Sequence, residues 1–100
     1  MSGLSLDQYV VDVLMPDLVG HDRSPSAFIV YVYLWRMASH RGRVSASYAT
    51  IAADTGLSKA SAQRAVALLK RRKLVAATKS SATSVPEYRV ARPWVGRLPQ

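Results

Sequence analysis

Cysteine is absent from this chain and acid is scarce: Glu87 is its one glutamate, beside five aspartates. The first absence excludes disulfides, thiolate metal sites and cysteine nucleophiles, and it fits a reducing compartment. The second leaves no paired carboxylates for acid–base chemistry. Histidine is little better represented. His21 and His40 stand far apart, with no HxxxH or HxxE spacing to hold a metal. No Ser-His-Asp arrangement and no glycine-rich phosphate loop can be assembled. The chain is therefore read as non-enzymatic, with no metal, no cofactor and no small-molecule effector.

Long hydrophobic runs are missing too. The longest stretch without charge, Ser24–Trp35, holds 12 residues. As a helix it would span about 18 Å, too little to cross a bilayer. The opening "MSGLSLDQYVVDVLMPD" lacks a basic start and carries acids within its apolar stretch, which makes a poor signal peptide. A cytoplasmic protein without membrane contact is expected.

What the chain has is positive charge, unevenly placed. Its 100 residues carry a net charge of +8 and an isoelectric point near 10.5. Residues 1–35 set four aspartates against Arg23 alone, a net of −3, while residues 36–100 set thirteen Lys or Arg against Asp54 and Glu87, a net of +11. A basic surface on a small domain points to a polyanion, above all nucleic acid. With 49% hydrophobic residues the chain can bury a core, though a small one.

The segment "LSLDQYVVDVL" is open between two structures. Leu6, Val10, Val13 and Leu14 fit a helix, while the β-branched content of Tyr9–Val13 suits a strand. Pro16 and Gly20 are expected to break the chain after it. The next helix is bounded by Ser24 as N-cap, Pro25 in its first turn and Gly42 as its stop. Ala27 to Trp35 are apolar all round, so this helix needs cover on more than one side, from the N-terminal segment or a second subunit. A short helix follows, with Tyr48, Ile51 and Ala52 on one face and Gly56 at its end. "LSKASAQRAVALLKRRK" then opens on Ser58, with Ala62, Val66 and Leu69 as its inner stripe. "LVAATK" and "EYRVA" read as two strands around the turn-rich "SSATSVP".

Two short helices joined by about four residues, with a glycine free to take positive φ, form a helix-turn-helix unit. Packing the inner stripe leaves Lys59, Ala60, Ser61, Gln63, Arg64, Ala67, Lys70 and Arg71 outward. The small residues among them keep this face slim, and a slim cationic helix fits the roughly 12 Å major groove.

The region resembles a bacterial winged helix-turn-helix DNA-binding domain. Ile51, Ala52, Gly56 and Leu57 match the family's turn, with a small residue four before the glycine and apolar residues beside both. "LSKASAQRAVALLKRRKLV" is similar to its recognition helix and "EYRVARPW" to its second wing strand. Ala62 departs from the usual larger β-branched residue, and Lys73 stands where glycine is commoner. The resemblance implies a mainly α fold with a small β-hairpin: a three-helix core plus wing over residues 24–94, an N-terminal extension at 1–23 serving as a dimerisation segment, and a tail at 95–100.

It also implies that the Ser58–Arg72 helix enters the major groove of double-stranded DNA, with residues 75–90 as the wing. Ser58 caps that helix at the DNA, and Ala60 lets the backbone approach. Lys59 and Ser61 would then meet phosphate or a base edge, Gln63 adenine and Arg64 guanine. Ser47, Tyr48 and Thr50 would hold a phosphate, with Arg41 and Arg43 as further contacts; Lys79 and the Ser80–Ser84 turn would track the backbone or minor groove, and the Lys70–Lys73 run is open between a DNA contact and a solvated helix end. A small homodimeric transcriptional regulator is the expected function. A plasmid- or phage-type replication or partition protein is the alternative within DNA binding, and a winged-helix protein-interaction module the alternative outside it. RNA binding is disfavoured, because Tyr88 is the one aromatic in the predicted strands.

Overall fold

A computed structural model describes residues 6–39, 41–79, 81 and 84–92 of the chain. His40, part of the turn "SSATSVP", the closing Pro-Trp of "EYRVARPW" and the 95–100 tail lie outside the described residues.

The N-terminal segment is helical, not a strand. It contains two π-helical runs, Val10–Leu14 and Asp17–His21, each ended by an i→i+5 bond. Met15 donates to the Val10 carbonyl, and Asp22 to that of Asp17 at 2.8 Å. The wide turn buries every fourth residue, Val10, Leu14 and Leu18, and leaves Val13 on the outside. The expected breaks at Pro16 and Gly20 do not occur. Pro16 continues the helix at φ −64° between the two wide-turn runs, and a Cβ on Gly20 would meet nothing within 4 Å. The segment ends instead at Arg23, whose φ is 53°.

Helix α1 spans Pro25–Met37, capped by Ser24, whose hydroxyl accepts from the Ala27 amide at 3.2 Å. It stops before Gly42. Ala38 closes it, and Gly42, at φ 76°, turns the chain into the next strand. Ala27, Val30, Tyr31 and Leu34 are fully buried, and Phe28, Val32, Tyr33 and Trp35 partly so. The cover that this all-apolar helix requires comes from the N-terminal segment, the later helices and the sheet of the same chain.

Strand β1 (Arg43–Ser45) is a third strand beyond the predicted hairpin. Helix α2 (Tyr48–Thr55) and helix α3 (Lys59–Arg71) follow, then β2 (Val75–Thr78) and β3 (Glu87–Val90). The sheet is antiparallel in the order β1-β3-β2. Its register sets Val44, Tyr88 and Ala77 side by side on the core face, and Arg43, Arg89 and Ala76 on the outer face. Helix α3 packs its Ala62, Ala65, Val66 and Leu69 stripe onto α1 and α2. Three helices around one core with a hairpin wing make a winged helix-turn-helix fold.

Candidate nucleic-acid interface

The turn between α2 and α3 is built from local chemistry. Gly56 takes φ 83° and its amide returns to the Ala52 carbonyl at 2.9 Å. The Thr55 hydroxyl donates to the Ile51 carbonyl at 2.7 Å and accepts from the Leu57 amide at 3.3 Å. Ser58 then caps α3: its Oγ accepts from the Ser61 amide at 3.0 Å. These bonds satisfy amides that a helix start leaves open, and they fix the angle at which α3 leaves the turn.

Along α3, Lys59, Ala60, Gln63, Arg64, Ala67, Lys70 and Arg71 are exposed, as the helical spacing predicts. Ser61 is half-buried. Its hydroxyl accepts from Ser58 Oγ at 3.0 Å and from Arg64 Nη2 at 3.4 Å, which holds Arg64 against the helix surface. Lys70 shares this face but lies three turns from Lys59, about 16 Å along the axis. With Lys73 it lines a groove beside β2.

Ser47 caps α2, accepting from the Thr50 amide at 3.1 Å and donating to Thr50 Oγ1 at 3.0 Å. Both hydroxyls are thus engaged at the helix start, with Thr50 exposed and Tyr48 half-buried. Tyr48 lies against Tyr88 of β3, linking α2 to the sheet. Burial, with Tyr48 beside it, pushes the Tyr88 phenol well above the usual tyrosine range. A second tie is exposed: Tyr33 of α1 donates to Asp54 of α2 at 2.6 Å.

Lys79 leaves the end of β2 exposed, at the start of the wing turn. In that turn Ser81 and Ser84 share a hydroxyl bond of 2.8 Å. Arg41 is exposed, and Arg43 Nε stands 3.7 Å from Glu87 Oε2. Arg89, opposite Arg43 on the outer face, is a further exposed cation that sequence reasoning passed over. Its face depends on strand register, which the sequence pattern does not reveal.

The closing Lys70–Lys73 run divides. Arg72, placed at the predicted helix end, bonds Asp17 and Asp22 of the N-terminal segment. Its guanidinium is held in the charged form first by the Asp17 hydrogen bond. Asp17, His21 and Asp22 lie within 4.8 Å of one another, a grouping that the histidine spacing did not flag. Arg72 supplies the positive charge to both carboxylates.

A family described as helix-turn-helix domain matches residues 24–75, from the cap of α1 through α3 to the start of β2. The chain belongs to that family. No curated protein matches the chain. The helix-turn-helix domain here has its bihelical unit at residues 48–71, and its outward face is the cationic, small-residue face of α3. Among the described residues of the helix-turn-helix domain and its N-terminal segment, no helix is long and apolar enough to cross a membrane.

Proposed function

We infer that the protein binds double-stranded DNA with sequence preference and serves as a small transcriptional regulator on the nucleoid. The observation that carries this reading is the outward face of α3, slim and cationic and anchored at its N-terminal end by the Gly56 turn and the Ser58 cap. Recognition helices enter the groove by that end. Gln63 reads adenine and Arg64 guanine, each worth roughly 1–3 kcal/mol of discrimination. The bond from Arg64 to Ser61 pre-orients the guanidinium. Lys59, Ser47, Thr50 and Lys79 meet phosphates and set the register without reading sequence.

A homodimer is part of the same reading. The chain uses its own Val10, Leu14 and Leu18 to cover α1, yet Val11, Met15, Val19 and Ile29 stay 37–45% exposed. That surplus apolar surface is offered to a second copy. A monomer in sedimentation at high micromolar concentration would remove the dimer from the proposal.

The test is selection of bound duplexes from a random pool, followed by binding of Gln63→Ala, Arg64→Ala and Lys79→Ala. The first two relax preference at single positions. The third weakens all sequences alike and lowers the salt slope by about 0.9 for each phosphate left without its cation. Identical behaviour of all three would overturn the groove assignment. Affinity that is weak and indifferent to salt would favour a protein-interaction module.

A further inference from the structure

The free edge of β2 has geometry that DNA recognition by α3 leaves unused. In the order β1-β3-β2, β2 has a strand neighbour on one side only among the described residues. The ladder fixes which of its backbone groups face that neighbour. The Ala91 amide donates to the Leu74 carbonyl at 2.8 Å, so residues 74 and 91 form a hydrogen-bonded pair. Antiparallel pairs alternate, which makes Val75↔Val90 and Ala77↔Tyr88 non-bonded pairs. The other side of β3 agrees, since the Ala46 amide donates to the Pro86 carbonyl at 3.2 Å, which turns Tyr88 toward β1. Val75 and Ala77 therefore direct their N–H and C=O groups away from β3.

A groove of about 310 Å³ runs beside this strand, lined by Lys70, Lys73, Val75, Ala76, Ala77 and Ala91. Its walls are small and apolar. Lys73 and Lys79 stand at the two ends of β2, and Lys70 overlooks it from α3. The nearest acid on the sheet, Glu87, faces Arg43 on the other edge. Lysines beside a short edge discourage pairing between like strands. The same charges favour an extended segment that brings carboxylates.

We propose that the β2 edge is a docking site for an acidic extended peptide of a partner protein, which adds as a fourth strand. Val75 and Ala77 supply the main-chain bonds, the alanine-lined groove takes small or β-branched side chains, and Lys70, Lys73 and Lys79 pair with alternate acids. The main-chain groups and the groove lie away from the N-terminal end of α3 and do not rest on the DNA reading, although Lys79 is shared with the proposed phosphate contacts.

The test uses the full chain, isotope-labelled, titrated with an eight-residue peptide of alternating glutamate and valine. An alternating lysine and valine peptide is the control. The acidic peptide is expected to saturate, to shift the Val75 and Ala77 amides and to slow their hydrogen exchange. Lys73→Glu is expected to weaken it several-fold. Ala77→Pro, which deletes an edge-facing donor but no bond to β3, is expected to abolish it. If that variant fails to fold, the amide map and Lys73→Glu decide alone. Shifts confined to Lys59–Arg64 would show the peptide acting as a polyanion on the DNA face and would overturn the proposal. So would an absence of saturation up to about 1 mM peptide, the weak end of the affinity scale.

Discussion

Arg72, the residue that closes α3, is hydrogen-bonded to Asp22, fifty positions earlier in the chain. The same guanidinium reaches Asp17, so one cation joins α3 to the N-terminal segment. The fork of an arginine suits two carboxylates better than the point charge of a lysine would. Arg72→Met should lower stability by about 1–2 kcal/mol, the range of charged hydrogen bonds on a partly exposed group. Urea unfolding measures this, and the loss should shrink at high salt. Sequence preference on DNA should be unchanged. A variant that kept its stability but lost DNA affinity would move Arg72 to the interface.

Gly56 and Lys73 both take positive φ, at 83° and 60°. At Gly56 a Cβ would meet nothing within 4 Å, so an alanine there is strained by its backbone alone. Gly56→Ala should cost about 1–2 kcal/mol. Lys73 carries the corresponding strain already, at the turn into β2. Lys73→Gly should raise the unfolding midpoint, a gain of up to about 1 kcal/mol after the added freedom of the unfolded chain is offset. A branched residue at this position, as in Lys73→Val, should lower it. Thermal melts of the three variants give the order directly.

Ser58 holds the first turn of α3 through the Ser61 amide. Ser58→Ala should cost about 1 kcal/mol, and Ser58→Asp should recover most of it as a cap. On DNA the two should differ. The aspartate restores the helix but places a negative charge where a phosphate is expected, so its affinity should fall below that of the alanine variant. Parallel melting and duplex titration separate the effects.

Tyr33 is one residue that links stability to alkaline pH. Burial, followed by its bond to Asp54 and the charge of that carboxylate, pushes its phenol up to about 12 from 10.0. The folded state thus keeps a proton that the unfolded state loses. The stabilisation is complete below pH 10 and disappears as pH rises through 12. Tyr33→Phe should be less stable at neutral pH and should lose less stability between pH 10 and 12. Urea midpoints across that window measure the difference.

Much of the domain is legible because it rests on neighbours in sequence. The Ser24 and Ser58 caps, the Gly56 turn and the α3 stripe each need only a few residues, and the structure shows each. The outward residues of α3 are readable for the same reason, since a helical period sorts outward from inward. Relations across the chain are not legible. Arg72 reads as a solvated helix end or a DNA contact, because its partners lie on a segment whose very helicity the sequence leaves undecided. Three-residue β1 carries too little pattern to announce a strand, and without it the register that exposes Arg89 cannot be drawn. Proline and glycine in the N-terminal segment mislead because an i→i+5 ladder accommodates what an α-helix would not.

The sheet order has a consequence for how this chain is made. The central strand is β3, residues 87–90, while its two neighbours come from residues 43–45 and 75–78. Neither edge strand touches the other, so during synthesis both must wait for the last strand. Until it emerges, Val44 and Ala77 lack the Tyr88 side chain that lies between them on the core face. The three helices can assemble from the ribosome outward, but the wing closes in one late step. A chain halted before residue 87 would therefore hold α3 with no sheet behind it.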